Sequence, residues 1–504
     1  MFAVNPLRPG WLTWSESSAR FTRVILGPNQ VRHSKVAKRR KDTQRNLAPH
    51  LKASHGKRTN TQLALSYFDD HYGKIYGSLW PSLRLGLLSR TKNAALVNNF
   101  NVAPQVKDQL SALGASSLRS YLPGQCPVRL PPTPRRATPA QPPPDRPTIS
   151  DPHVEPEESR EPELLPSMPL DPDVLYGRVI QPQSQSWAGH QTLHQDDYVP
   201  PTQLQGLDAE LEAEFVDSQH YDSYLSVGSV QIEIRAEPGP YFPPHLDAYL
   251  FPYSSFEAFP APKRTLADTF NYFCLDAASL LPVVAMGLAS GDRVLDMCAA
   301  PGGKSLAMLQ TLLPSELMCN DENAMRLRRV SHVMDMYLKG VKEMAGVVSY
   351  KRLDGSLMHS MYSNYFDKVL CDVPCLTDRV TARDDHNNLF SASNKHHRLN
   401  LPITQAGLLV SALKCVKPGG SVVYSTCTLS PIQNDGVVFT ALKTIWETTD
   451  IECYVSDMSD LFRPFHDLMR FHGDGRGAKY GQLVLPDITR NFGPMYLARI
   501  VRTR

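Results

Sequence analysis

Downstream of residue 293 the chain alternates short apolar runs with stretches in which apolar residues recur every three or four positions. The short runs predict strands at 294–297, 317–320, 347–353, 368–372, 420–426 and 497–501. The longer periodicity predicts helices at 304–313, 323–337, 404–414 and 437–446. Apolar strands separated by helices point to a mostly parallel sheet covered on both faces. The expected fold class is α/β, doubly wound. Lys417-Pro-Gly-Gly420 stands where a helix closes before a strand.

Upstream, residues 226–237 alternate like a strand, and 270–288 are apolar enough for a buried helix interrupted at Pro282. Between 61 and 112 the apolar positions Tyr67, Phe68, Tyr72, Ile75, Tyr76, Leu79 and Trp80 fall near helical spacing before Pro81. Leu83, Leu85, Leu87 and Leu88 continue into a second helix. This predicts a helical extension at 61–112 that packs on the core or on a partner.

Charge divides the chain further. The net charge of +3 over 504 residues conceals a basic start, with thirteen Lys and Arg against Glu16 and Asp42 up to residue 66. Between 145 and 217 sixteen acids face three arginines amid many prolines. Such composition buries too little apolar surface to offset ordering entropy, so 121–220 is expected to be a disordered Pro-rich acidic linker. Residues 1–45 have the composition of a mitochondrial presequence and basic arm, which predicts import into the matrix. The cluster from Lys35 to Lys41 also suits a nucleic-acid-binding arm or a nuclear signal. No run of 18 apolar residues predicts a membrane span. The main folded domain is then 226–504.

The candidate chemistry begins at Arg293-Val-Leu-Asp-Met-Cys-Ala-Ala-Pro-Gly-Gly-Lys-Ser305, a strand, a small-residue turn and a helix start. That arrangement presents backbone N–H groups to a ligand. A phosphate loop would need glycine where Cys298 stands, and no GxGxxG is present. Asp321 ends the second predicted strand, Arg326 lies five residues on, and Asp354-Gly355 ends the third. A lone acid at a strand end is usually a cap or turn former; several in this order suggest a nucleotide-like cofactor. The nine cysteines show no zinc spacing. Two of them, Cys375 and Cys427, close successive strands in Asp372-Val-Pro-Cys375 and Ser425-Thr-Cys427. One alone would be a buried thiol, whereas a pair at neighbouring strand tips suggests nucleophilic chemistry.

Asp296-Met-Cys-Ala-Ala-Pro-Gly-Gly-Lys304 is nearly identical to the cofactor turn of the Sun-domain (NOL/NOP/Sun) RNA cytosine-5 methyltransferases. The chain resembles that family over 67–100 and 266–502, including DVPCLTDR, VVYSTCTLSPIQND and NFGPMYLARI. The likeness is greatest to the branch acting on mitochondrial small-subunit ribosomal RNA. It implies the class I methyltransferase fold with S-adenosyl-L-methionine as cofactor. The cofactor would be held by Cys298, Ala299, Ala300, Pro301, Gly302, Gly303, Lys304, Asp321, Arg326, Asp354, Gly355 and Asp372. It also implies Cys427 as the nucleophile that adds to cytosine C6, Cys375 as the group assisting release, and Asp372 at the cofactor or the cytosine edge. A role in mitoribosome assembly is implied, with a helical-repeat partner of the mitochondrial transcription termination factor family. A tRNA methyltransferase acting alone, or an assembly factor whose catalysis is dispensable, stays open. Residues 376–379 and Lys395-His-His-Arg398 are candidate RNA-phosphate contacts or plain solvated loops.

Overall fold

Val294 and Leu295, Val369 to Cys371, and Val422 to Tyr424 are all fully buried, which places these apolar runs in the middle of a sheet covered on both faces. The computed structural model describes residues 58–100, 103–122, 231–236, 242–253, 255–339, 341, 346–386, 388–472 and 478–504. The expected presequence and nearly all of the expected linker lie outside them.

The elements run α1 (Asn60–Tyr76), α2 (Trp80–Leu88), β1 (Asn93–Val97), α3 (Ala103–Ala112), β2 (Ser116–Ser117), β3 (Ile234–Ala236), β4 (Ala248–Leu250) and β5 (Tyr272–Asp276). There follow α4 (Leu281–Ala285), β6 (Arg293–Asp296), α5 (Gly303–Gln310), β7 (Glu316–Asn320), α6 (Ala324–Leu338), β8 (Val348–Lys351) and β9 (Phe366–Asp372). The chain continues through α7 (Asp378–Thr381), α8 (Lys395–Cys415), β10 (Val416–Thr426), α9 (Val437–Thr448), β11 (Cys453–Asp457) and α10 (Ser459–Phe462). It ends with β12 (Arg470–Phe471), β13 (Gln482–Leu485) and β14 (Met495–Arg502). None of the described helices is long and apolar enough to cross a membrane.

The larger sheet has the order β12-β13-β14-β10-β9-β6-β7-β8, with β11 also on β14 and β3 on β11. From β10 to β8 all neighbours are parallel, while β14 runs antiparallel to β10, β11 and β13. The first strand of this unit, β6, lies between β7 and β9, so the chain winds outward in both directions from it. Ligands of such sheets bind beyond the carboxyl ends of the strands at that reversal. This is the expected α/β, doubly wound architecture.

The N-terminal helical extension is present as α1 to α3, and it carries a strand that periodicity did not reveal. β1 pairs antiparallel with β5 from Asn93↔Asp276 to Val97↔Tyr272, in a second sheet of order β2-β4-β1-β5. The expected helix at 270–288 is thus corrected: its first part is β5, and only Leu281–Ala285 is α-helical. A continuous apolar run does not distinguish strand from buried helix, and here the partner strand decides. Helix α1 starts at a capping box between Thr59 and Gln62 and buries Ala64, Phe68, Tyr72 and Tyr76 in the cluster that holds Tyr424 and Leu429. Burial of each aromatic ring contributes about 1.5–3 kcal/mol. Helix α8 extends nine residues further upstream than predicted, tolerating Pro402 inside it, and β10 begins at Val416 with a register shift before Ser421.

Arg379 is the main polar tie between these parts. Its guanidinium donates to Gly86 O at 2.7 Å and Ser89 O at 3.0 Å after α2, and to Asn491 Oδ1 at 2.8 Å. Gly493 O accepts two more bonds, at 2.6 and 3.0 Å. Asp276, half-buried at the end of β5, feels the same cation. Arg379→Met should therefore lower the unfolding free energy by roughly 2–4 kcal/mol in denaturant titrations. A loss below about 0.5 kcal/mol, the level of an ordinary surface change, would remove the residue from this role.

Candidate active site

The turn after β6 is shaped by packing as much as by any ligand. Gly302, the cap of α5, has φ +106, a left-handed conformation that disfavours a side chain. A Cβ on it would lie 3.3 Å from Val330 Cα, and one on Gly303 would lie 3.1 Å from Phe273 Cε1. These glycines therefore admit α6 and β5 to the turn; close approach of a cofactor is not what first requires them. Ala299 N–H donates to Asn320 O at 2.8 Å, tying the turn to β7. Ala299 is buried, Cys298 and Ala300 are half-buried, and Pro301 is exposed. Burial pushes the Cys298 thiol well above its ordinary pKa.

Asp296 is fully buried at the tip of β6, accepts from the Ser305 hydroxyl through Oδ2, and has no partner at Oδ1. Burial is the largest cause raising its pKa to about 7; Asp372 and Asp321 add to the rise, and Ser305 and Lys304 oppose it. Next to it, Asn320 pins three strand ends together: Nδ2 donates to Met297 O and Leu353 O, both at 3.0 Å, and Oδ1 accepts from Leu353 N at 3.0 Å. Asp321 is 3% exposed. Its Oδ1 accepts from Asn323 N at 3.0 Å, while Oδ2 is buried without a hydrogen bond, although Arg326 Nη2 lies 3.2 Å away. Asp354 is exposed and caps the following turn, accepting from Ser356 N at 2.9 Å and Ser356 Oγ at 2.7 Å. Gly355 is pressed against α8, with a Cβ there only 2.6 Å from Leu408 Cδ2.

The two expected cysteines meet. Cys375 Sγ and Cys427 Sγ are 3.1 Å apart, and Cys427 N–H points at Cys375 Sγ from 3.3 Å. Parallel pairing of β9 with β10, Ser425 beside Asp372, sets this register. The Cys427 thiol is held well above its ordinary pKa, first by its hydrogen bond with Cys375 and then by burial and the Asp372 charge. Lys304 is the opposing influence. Asp372 Oδ2 binds Lys304 Nζ at 2.8 Å and Oδ1 accepts from Ser425 Oγ at 2.6 Å. Burial opposes the charge on Lys304, but Asp372 outweighs it and leaves that pKa raised. The arrangement thus holds a neutral thiol with a fixed cation nearby, suited to forming a thiolate as a proton leaves.

Two further expectations change. Asp378 is buried and Arg379 spends its donors on backbone oxygens and Asn491 Oδ1, so neither of these is an RNA-phosphate contact. The 395–398 stretch is the first turn of α8, not a loop; its Arg398 stacks on Phe390 at 4.3 Å, and only His396 and His397 are exposed. Sequence reading missed Ser425, Asn320 and Ser305. Ser425 was within reach, because it stands two residues before Cys427 and so shares its strand face.

A sheet that reverses at its first strand, with acids beyond successive strand tips and a thiol pair just after the two neighbouring strands β9 and β10, is the class I methyltransferase fold. The family model described as 16S rRNA methyltransferase RsmB/F matches residues 283–463. Over 453 residues the chain is 34% identical to the 5-cytosine rRNA methyltransferase nsun-4 of Caenorhabditis elegans, covering 88% of this chain and 92% of that one. It is 31% identical over 444 residues to NSUN4 of Mus musculus, covering 88% and 90%. Against the mitochondrial tRNA (cytosine(34)-C(5))-methyltransferase of Mus musculus it is 36% identical over 267 residues, covering 52% and 72%. The chain belongs to this Sun-domain family of RNA cytosine-5 methyltransferases, whose methyl donor is S-adenosyl-L-methionine.

Asp296 makes a pH dependence testable. Its folded pKa of about 7 lies above the unfolded value near 3.9, so its contribution to stability is complete below about pH 4 and is lost as pH rises through about 7. Between pH 5 and 7 the stability of the wild type relative to Asp296→Asn should fall with rising pH, by up to about 1.4 kcal/mol per pH unit. A difference that stays flat across this range would show that the carboxyl titrates normally.

Proposed function

We propose that this protein methylates C5 of a cytosine in mitochondrial small-subunit ribosomal RNA, with Cys427 as nucleophile. The observation that carries the mechanism is the pair of thiols 3.1 Å apart on adjacent parallel strands, beside the Lys304–Asp372 pair. Cytosine C5 is too weak a nucleophile to take a methyl group unaided. The Cys427 thiol loses its proton, its sulfur bonds to C6, and C5 becomes the nucleophilic end of an enamine. Bound S-adenosyl-L-methionine supplies the electrophilic methyl that C5 accepts. A base then takes the C5 proton, the electron pair of that C–H bond re-forms the C5–C6 double bond as the C6–S bond breaks with its pair going to sulfur, and Cys375 assists departure of the sulfur. Lys304 stabilises the thiolate, and Asp372 orients Lys304 while facing the cofactor or the N3/N4 edge of the base.

The orphaned Asp321 Oδ2 fits a ribose hydroxyl donor, with Arg326 steadying the carboxylate. Asp354 and Gly355 would border the adenine side, and the segment from Cys298 through Ala299, Ala300, Pro301, Gly302 and Gly303 to Lys304 would receive the amino-acid moiety. The ribosomal substrate is supported by relatives so named, whose similarity spans 88% of the chain; the tRNA enzyme matches 52%. The basic composition of 1–45 supports mitochondrial import. The same reading divides the chain into that presequence, an extension at 61–112, a linker at 121–220 and a catalytic domain at 226–504. A helical-repeat partner and a role in mitoribosome assembly complete it.

Cys427→Ala should reduce methylation by a factor on the order of 10³ or more while leaving S-adenosylmethionine affinity nearly intact. Normal turnover by that variant would sink the assignment. Cys375→Ala should accumulate a covalent RNA adduct, seen as a shifted band in denaturing gels; its absence would assign release to another group. Bisulfite sequencing of mitochondrial RNA after depletion should show loss at one small-subunit rRNA cytosine. Loss confined to a tRNA would favour the tRNA reading instead.

A further inference from the structure

We propose that Asp378 and Thr428 form a clasp that positions Cys427 against Cys375, closed from outside by Tyr72 and Tyr76 of α1. The proposal rests on the nucleophile reading above and adds positioning residues to it.

Asp378 lies three residues after Cys375, at the start of the short helix α7 that follows β9, and it is fully buried. Its two oxygens reach across to the residues that follow Cys427 on the loop after β10. Oδ1 accepts from Thr428 Oγ1 at 2.8 Å and Oδ2 accepts from Leu429 N at 2.7 Å. One carboxylate therefore joins the loops of both cysteines. Thr428 Oγ1 also accepts from Ser430 N at 3.1 Å, and Thr428 O accepts from Asn434 Nδ2 at 3.0 Å. Two ring hydroxyls complete the enclosure: Tyr72 OH lies 3.2 Å from Thr428 Oγ1, and Tyr76 OH donates to Leu429 O at 2.6 Å. Both rings come from the N-terminal extension, more than 350 residues away in sequence.

The energetic reason for a clasp is the cost of burying this carboxylate. An ionised carboxyl taken out of water is tolerated only when donors replace the lost hydration. Burial pushes the Asp378 pKa up to about 6, and the Leu429 amide and the Thr428 and Tyr72 hydroxyls oppose that rise. The carboxylate is thus bound to the one loop conformation that supplies these donors. Cys427 is the residue immediately before that loop, so its sulfur inherits the restraint. Charge balance alone would not require this placement; a surface acid would serve solubility equally well.

A merely structural clasp would change stability only. A positioning clasp changes the rate at which Cys427 attacks, because a displacement of about 1 Å can cost a hundredfold in rate. The test uses the full chain with S-adenosylmethionine and a small-subunit rRNA fragment transcribed with 5-fluorocytidine. The C5–F bond cannot be lost to release the sulfur, so the adduct accumulates and its rate of formation is read directly. Thr428→Val removes the hydroxyl at nearly constant volume, Thr428→Ser restores it, and Asp378→Asn removes one acceptor.

Thr428→Val and Asp378→Asn should form adduct roughly ten- to a hundredfold more slowly, with RNA KM and S-adenosylmethionine Kd changed less than about twofold. Thr428→Ser should return to within about threefold of wild type, since it retains the donor to Asp378. Should Asp378→Asn fail to fold, the Val and Ser variants at 428 decide alone. Wild-type rates in Thr428→Val, a loss confined to KM, or a Ser variant as slow as the Val variant would each overturn the clasp. Peptide mapping of the wild-type adduct keeps the two readings apart: attachment at a residue other than Cys427 refutes the nucleophile, whereas attachment at Cys427 with unaltered variant rates refutes only the clasp.

Discussion

The Asp372 carboxylate is the point on which the site depends. It ends β9 and binds Lys304 from the first turn of α5, which follows β6, and Ser425 from β10, so three parallel strands are held in one register at their carboxyl ends. The ion pair is mostly enclosed, and an enclosed pair contributes little net stability because each charge has lost its water. What it supplies is geometry. Fixing Lys304 keeps a cation near the Cys427 thiol, where it opposes the upward push on that pKa and would lower the cost of a negative charge on sulfur.

That geometry is supported from the far end of the chain. The pairing of β1 with β5 and the burial of α1 make the N-terminal extension part of the catalytic body. Arg379 joins α2 to the segment before β14, while Asp276 receives Gly493 N at 2.8 Å. Buried charges of this kind tolerate few alternative partners, since leaving one unsatisfied costs more than the pair contributes. The active-site face is accordingly assembled from segments at both ends of the described sequence.

Much of this was legible in the sequence, and the failures have physical causes. The parallel strands β6, β7 and β9 were readable because burial in the middle of the sheet demands apolar runs. The residues 270–276 misled because such a run carries no period that separates strand from helix. β11 and β13 left no comparable signal; both depend on β14 as their template. Residues 376–379 looked like an anionic-ligand loop by charge alone, yet burial turns Asp378 and Arg379 into internal ties.

By itself the sequence determined the doubly wound class, the turn from Asp296 to Lys304, and the two cysteines as the reactive candidates. These follow from local facts: apolar periodicity, the exclusion of a phosphate loop by Cys298, and thiols placed just after strands. Tertiary structure alone decided that the thiols lie 3.1 Å apart, that Asp372 is shared between Lys304 and Ser425, and that Tyr72 and Tyr76 reach the loop that follows Cys427. Distances between residues tens or hundreds of positions apart are set by strand register and packing, which no local pattern encodes.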